Sequence, residues 1–204
     1  MIAPATSSPV IERAQAAEAP FIAGLIAAAF HPLAAARWQI DDDELRRAVF
    51  PGYFQGYVEQ AFGNGVVEVT ADRGAAALWL AEDGGPQPEP ERPTPLLEAM
   101  LGPWAERIYA FDCALHHALP TGREYEHLAI LAVLPGRQGR GTGSALLTHR
   151  LEHLDRQGTP AYLEASGEDT RAVYLRFGFA DLGEPIRLPD GPRMYPMWRD
   201  PRQS

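Results

Sequence analysis

The 204-residue sequence contains no lysine, and all 18 of its basic residues are arginine. A Walker-type phosphate loop requires a Gly-Lys-Ser/Thr ending, so the sequence excludes that class of nucleotide-binding site. Acidic residues number 27, which leaves a net charge of −9. A surplus of acid repels phosphate backbones, so we expect no nucleic-acid partner.

Cysteine is nearly absent as well. Cys113 is the only one in the sequence, which excludes an intrachain disulfide and a cysteine-based zinc site. It lies in an apolar, helical pattern, which favours a small buried residue over a reactive thiol. We expect no metal site.

Long apolar runs are also missing. The most apolar segment, residues 19–30, is shorter than the roughly 20 residues that a membrane-spanning helix needs. The first ten residues, MIAPATSSPV, lack the basic start and apolar core of a signal peptide. These features predict a cytoplasmic protein with no membrane partner.

The order of helical and alternating patterns predicts a single α/β domain over residues 1–204. Strands are expected at 9–15, 65–71, 75–81, 124–134, 161–166, 179–188 and 194–198. Helices are expected at 16–30, 41–62 with a break at Pro51, 96–119 with a break at Pro103, 144–157 and 169–177. Residues 82–95, rich in proline, glycine and acid, predict a mobile surface loop.

Three alternating glycines occur in the segment LPGRQGRGTGSALL, residues 134–147, between a predicted strand and a predicted helix. Glycine permits a positive φ, and successive backbone N–H groups at a helix start bind anions. The dinucleotide pattern G-x-G-x-x-G does not fit. Its last position falls on Ser144 when counted from Gly139 and on Leu146 when counted from Gly141. We therefore expect a phosphate-binding loop of another class.

The loop has the register Gln/Arg-x-x-Gly-x-Gly/Ala from Gln138 to Gly143. It resembles the pyrophosphate loop of the GNAT superfamily of acyl-CoA-dependent N-acetyltransferases. The block YLEASGEDTRAVYLRFGF, residues 162–179, is similar to the C-terminal strand and short helix of that family. The tail 191–199 resembles the closing strand of its small-molecule and antibiotic branch. The resemblance implies a central mixed, largely antiparallel twisted sheet flanked by helices.

The same resemblance implies an activity. It predicts transfer of an acetyl group from acetyl-CoA, as co-substrate, to the amine of a small molecule by direct attack in a ternary complex. Family members often dimerise, so a homodimer is a further expectation. Two alternatives stay open: an acetyltransferase for protein N-termini or lysines, and a non-catalytic acyl-CoA-binding sensor.

The resemblance also assigns cofactor contacts. The pyrophosphate would lie against the loop, and the pantetheine arm would pair with the preceding strand like an added strand. The corresponding residues are Gln138, Gly139, Arg140, Gly141, Thr142 and Gly143 in the loop, and Leu131, Ala132 and Val133 in the strand. Thr170 stands where many members carry an asparagine that touches the cofactor.

Two proton transfers need side chains. Tyr174 matches the family's tyrosine and would contact the cofactor and protonate the departing thiolate, because a phenol is protonated at pH 7. Strand alternation places His127 on one face with Ala129, Leu131 and Val133, so His127 is the first candidate base. Glu126 replaces it if a bulge shifts the face, and an ordered water is the third alternative.

Overall fold

The computed structural model describes residues 9–202. Eight strands are present in this part of the chain: β1 (Ile11–Arg13), β2 (Gly65–Thr70), β3 (Ala75–Glu82), β4 (Tyr125–Val133), β5 (Ala161–Ala165), β6 (Ala180–Asp181), β7 (Ile186–Arg187) and β8 (Arg193–Arg199). The helices are α1 (Ala19–Phe30), α2 (Ala34–Gln39), α3 (Asp43–Asn64), α4 (Pro95–Leu101), α5 (Trp104–His116), α6 (Thr142–Gln157) and α7 (Glu168–Arg176).

The strands form one sheet in the order β1-β2-β3-β4-β5-β8-β6, and β7 also pairs with β8. Every pairing is antiparallel except that of β4 with β5. Two parallel neighbours require a crossover, and α6 supplies it. The expected mixed, largely antiparallel sheet with flanking helices is confirmed.

Two apolar layers cover the two faces of the sheet. On one face, α1, α3 and α5 pack against side chains such as Leu78, Ile130 and Ala132. On the other face, the leucines of α6 pack against side chains such as Trp79 and Leu163. The strands are nearly continuous runs of buried residues because helices cover both sides.

The helix α3 differs from the prediction because it runs unbroken through Pro51. A proline inside a helix removes one backbone hydrogen bond and crowds the preceding turn. Phe50, Phe54 and Val58 lie on the buried side of α3, and their burial in the core offsets that cost. The break predicted at Pro103 is confirmed, because α4 ends at Leu101 and α5 begins at Trp104.

Besides small shifts at other element ends, three features differ from the pattern-based expectation. The helix after the glycine loop starts at Thr142, two residues before the predicted start at Ser144. The short helix α2 was not predicted. The predicted strand 179–188 is instead two two-residue strands, β6 and β7, separated by a turn with Gly183 at φ 73°. Between Glu82 and Pro95 the chain has neither helix nor strand, as predicted.

Candidate functional site

A bulge in β4 decides which side chains face the site. Leu78 pairs with Ile130 and Trp79 pairs with Leu128, so Ala129 has no partner across the strand pair. One extra residue reverses the alternation of side chains on either side of it. Leu128 therefore lies on the α6 face with Leu131 and Val133.

His127 consequently lies on the opposite face, where its strand partner is Leu80. The expectation that His127 shares a face with Leu131 and Val133 is wrong, because it assumed unbroken alternation. Glu126 lies on the α6 face, as expected if a bulge is present. Its carboxylate, however, accepts two hydrogen bonds from Arg150 of α6, from Nε at 2.8 Å and from Nη2 at 2.5 Å.

The strands β4 and β5 separate soon after they meet. They pair only at Glu126–Ala161 and His127–Tyr162. The N–H of Leu134 donates to the carbonyl oxygen of Gly74 at 3.0 Å, beside the non-hydrogen-bonded pair Ala75–Val133. Backbone groups alternate in direction along a strand, so those of Leu131 and Val133 face the opening.

Contacts on the two sides of β4 agree with this direction of the backbone groups. The side-chain Nε2 of Gln138 donates to the carbonyl oxygen of Val133 at 3.0 Å, on the side away from β3. The backbone groups of Ala132 point towards β3, and its side chain is buried in the core. The open edge of β4 is thus available to an extended ligand at the backbone groups of Leu131 and the N–H of Val133.

A cavity of about 610 Å³ begins in this opening. One end is bounded by the glycine loop and α7, and the other end by α1, α2, α3 and α5. The lining includes the loop residues Gln138, Gly139, Gly141, Thr142 and Gly143, the strand residues Leu131, Ala132 and Val133, and Thr170 and Tyr174 of α7. Most of the residues that the sequence assigned to the cofactor therefore line one space; Arg140 does not.

The glycine loop has the backbone of an anion site. Gly139 and Gly141 have φ angles of 73° and 82°, in the left-handed region that favours glycine. Among residues 9–202, no hydrogen-bond acceptor is found for the backbone N–H groups of residues 138–144. Several of these groups belong to the first turn of α6, where the helix dipole adds positive potential. An anion is the natural partner for such a row of donors.

The polar side chains around this loop are partly committed. Arg137 is paired with Asp72. The hydroxyl of Thr70, the backbone N–H of Gly74 and Arg137 together lower the pKa of that carboxyl. Arg140 is exposed and forms no ion pair within the part of the chain that the structure describes. The Thr170 hydroxyl donates to the carbonyl oxygen of Gly167 at 2.9 Å, so towards a ligand it can only accept.

Tyr174, on α7, lines the cavity. Its ring packs edge-on against Phe179, with centroids 5.9 Å apart. Burial raises the pKa of Tyr174 to about 12. Within residues 9–202 its hydroxyl makes no hydrogen bond, so it is a protonated donor without a protein partner.

Sequence reasoning missed Glu164, which lines the cavity. Its Oε2 lies 2.9 Å from Nε2 of His127, and the side chains of Glu164 and His127 are only 6% and 11% exposed. Its Oε1 is buried without a partner. Burial lowers the pKa of His127, but the charge and hydrogen bond of Glu164, with the charge of Glu82, raise it more, so the net shift is upward. A single acid inside the apolar strand AYLEA was the signal available in the sequence.

A second polar group was missed at the far end of the cavity. Tyr53 and Tyr57 line it, and both hydroxyls donate to Oδ1 of Asp112, at 2.5 and 3.1 Å. The two tyrosines are four residues apart on α3, which places them on one helix face. Nothing in the sequence connects them to Asp112 on α5.

Comparison with known proteins accords with this geometry. Residues 117–200 match the family model described as "Acetyltransferase (GNAT) domain". A solved structure of "histone acetyltransferase HPA2 and related acetyltransferase" from Corynebacterium glutamicum is similar to this chain. Its TM-score is 0.64 at 24% identity, over 97% of this chain and 99% of its own length. Residues 117–200 are thus similar to a GNAT acetyltransferase domain.

Two further proteins are similar to parts or all of this chain. Arylalkylamine N-acetyltransferase 2 from Aedes aegypti has the same fold, with a TM-score of 0.66 and 14% identity over 96% of this chain and 100% of its own. A curated mycothiol acetyltransferase from Streptomyces avermitilis is 46% identical over 54 residues, 25% of this chain and 18% of the relative. The chain thus matches under a fifth of that relative's length.

Two absences among the described residues bear on the site. Within residues 9–202, no group of three or more His, Cys, Asp and Glu side chains is arranged to hold a metal ion. No helix in the same range is long and apolar enough to cross a membrane.

Proposed function

We propose that the protein transfers an acetyl group from acetyl-CoA to the amine of a small molecule, by direct attack in a ternary complex. One observation carries this proposal: a single cavity joins the glycine loop, the open edge of β4 and an aromatic chamber between helices. A cofactor bound along the first two would deliver its reactive end to the third.

The residues present fit acetyl-CoA. The unpaired N–H groups of residues 138–144 and the start of α6 would hold the pyrophosphate. The backbones of Leu131 and Val133 would pair with the pantetheine arm, while Ala132 closes the core behind it. Thr170 would accept a hydrogen bond from that arm. Bound acetyl-CoA would supply the thioester and a thiol leaving group.

Groups of the protein would then stabilise the oxyanion and protonate the thiolate that form during the transfer. A backbone N–H of β4 near Val133 would donate to the oxyanion, a type of contact worth about 3 kcal/mol in other enzymes. Tyr174 would protonate the departing thiolate. Its pKa of about 12 keeps the hydroxyl protonated at neutral pH, and it makes no competing hydrogen bond to residues 9–202.

The proton released by the amine would pass to the buried pair of Glu164 and His127. Glu164 is the member that lines the cavity, and His127 lies directly behind it. At a pH above the pKa of His127, the pair can take up one proton, and the product is a His127 imidazolium next to the Glu164 carboxylate. Glu126 is the weaker candidate, because Arg150 already holds both of its carboxylate oxygens.

A small acceptor fits better than a protein. The acceptor end of the cavity lies between helices and is lined by aromatic side chains, including Phe30, Phe54 and Phe111. The fold-level likeness to arylalkylamine N-acetyltransferase 2 of Aedes aegypti supports the same interpretation. An acetyltransferase for peptides would need an open groove at this end.

A thiol-release assay tests the proposal. The purified protein is incubated with acetyl-CoA and a panel of small amines, and acetylated products are identified by mass. We expect turnover with at least one small amine and none with test peptides. Binding of acetyl-CoA without turnover of any amine would identify a sensor, and turnover of peptides alone would identify a protein acetyltransferase.

A further inference from the structure

The acceptor end of the cavity is mostly apolar, its few polar groups are mainly hydrogen-bond acceptors, and none of the described residues there is basic. Among the described residues that line the cavity, the basic ones are Arg137, beside the glycine loop, and Arg176, at the end of α7. None comes from α1, α2, α3 or α5. Glu164 is the acidic residue in the lining, and its Oε1 is buried and unpaired. An unpaired buried carboxylate oxygen calls for a donor from a ligand.

The hydroxyls of two tyrosines can also act only as hydrogen-bond acceptors towards a ligand. Tyr53 and Tyr57 each donate their proton to Oδ1 of Asp112, and their oxygens lie 3.3 Å apart. The lone pairs are what remains for a ligand. Gln39 has amide donors in the lining, but its Nε2 is directed at the Tyr53 hydroxyl, 3.5 Å away.

Two carboxylates act on this part of the cavity. Burial raises the pKa of Asp112 to about 6, against the opposing effect of the two tyrosine hydrogen bonds, so Asp112 is largely ionised at neutral pH. Burial, the charge of Asp112 and the charge of Glu164 all raise the pKa of Tyr57. Tyr57 therefore lies within the field of both carboxylates, one towards the β4–β5 opening and one on α5.

We propose that the acceptor is a small dication, such as an aliphatic diamine, whose reacting amine meets Oε1 of Glu164. The second, charged end would lie against the hydroxyl oxygens of Tyr53 and Tyr57, with Asp112 behind them. This inference rests on the proposed function and names its substrate class. Amines that carry a carboxylate are disfavoured, because none of the described side chains at the acceptor end is basic and able to pair with it.

Matched acceptors test the proposal in the intact chain. Rates of thiol release are compared for a four-carbon diamine, the monoamine of the same length, and the amino acid of the same length. We expect kcat/KM for the diamine to exceed that for the monoamine by about tenfold or more, since a hydrogen bond to a charged group is stronger than a neutral one. The amino acid should be the poorest of the three.

Two variants test whether Asp112 and Tyr57 bind the charged end of the diamine. Asp112→Asn removes the charge and keeps the shape, and Tyr57→Phe removes one hydroxyl. Each should raise KM for the diamine by about tenfold, towards the value for the monoamine, and should lower kcat/KM for the diamine by a clearly larger factor than kcat/KM for the monoamine. Glu106→Gln is the control, because it removes a negative charge from the exposed side of the same helix.

The outcomes separate the two proposals. Equal kcat/KM for diamine and monoamine in the unmodified protein overturns the dication and leaves the proposed function standing. A fall for both substrates in equal proportion, in Asp112→Asn and in Tyr57→Phe, also overturns it, because a structural role alone would produce that pattern. Absence of thiol release with every amine contradicts the proposed function itself.

Discussion

Nε2 of His127 lies 2.9 Å from Oε2 of Glu164, although the two residues are 37 positions apart in the chain. The contact exists because β4 and β5 are paired at His127 and Tyr162 and then separate. It joins a residue behind the cavity to one that lines it, so the protonation of one depends on the charge of the other.

The first prediction concerns pH dependence. Glu164 holds the pKa of His127 above its ordinary value, so the pair is able to take up a proton only at pH above that raised value. The acidic limb of kcat/KM should therefore lie above about pH 6.5. In Glu164→Gln, burial is left as the main influence and lowers the pKa of His127, so any limb that remains should move to lower pH.

The measurement is the pH–rate profile of the unmodified protein, Glu164→Gln and His127→Ala, with Glu152→Gln on the exposed face of α6 as the control. Loss of the acidic limb in His127→Ala is expected. An unchanged limb and rate in His127→Ala would exclude this residue as the base, and Glu126 or an ordered water would be the remaining candidate.

The second prediction concerns the glycine loop. Gly141 has a φ of 82°, which asparagine and aspartate adopt at similar cost. Gly141→Asp adds a negative charge beside the proposed pyrophosphate, and Gly141→Asn does not. Calorimetry should show acetyl-CoA affinity reduced at least about tenfold more by the aspartate than by the asparagine. Equal affinities in the two variants would mean that no phosphate lies there.

The third prediction concerns Tyr174. Tyr174→Phe removes the hydroxyl and keeps the ring that packs against Phe179. If this hydroxyl protonates the thiolate, kcat should fall by about 10²-fold or more while acetyl-CoA affinity changes little. Steady-state kinetics and calorimetry measure the two quantities. Full turnover in this variant would show that the thiolate obtains its proton elsewhere.

The fourth prediction concerns stability. Arg199 is buried on β8 and donates two hydrogen bonds of 2.7 Å to Asp155 on α6. Asp155→Asn removes the negative partner of this cation and should lower the free energy of unfolding by about 3 kcal/mol at pH 7. Urea unfolding measures it, with Glu152→Gln as the control.

The same pair gives a pH test. The hydrogen bonds from Arg199, together with its charge and the contacts of Arg202, lower the pKa of Asp155 below 3.8, against the effect of burial. The stabilisation is therefore fully present above the unfolded value of about 3.9 and is lost as pH falls through the folded pKa. A difference between the two proteins that stays constant from pH 7 down to about pH 2 would contradict this assignment.

Local patterns were sufficient for most elements. The hairpin of β2 and β3, the break before Trp104 and the strand–loop–helix around Gly141 depend on turn residues and periodicity within short windows, so the sequence predicted them. The lack of lysine and the glycine spacing from Gln138 to Gly143 also excluded two nucleotide-binding loops, because each of those loops needs a fixed residue type at a fixed position. These features depend on neighbours in the chain.

The tertiary structure decided the rest, because it depends on partners far apart in the chain. The bulge at Ala129 arises from pairing between β3 and β4, and it reversed the predicted face of His127. The partners of His127 and of Tyr53, which are Glu164 and Asp112, come from other elements. Periodicity fixes which face of an element is apolar, whereas the meeting of polar groups in a cavity depends on how the elements pack.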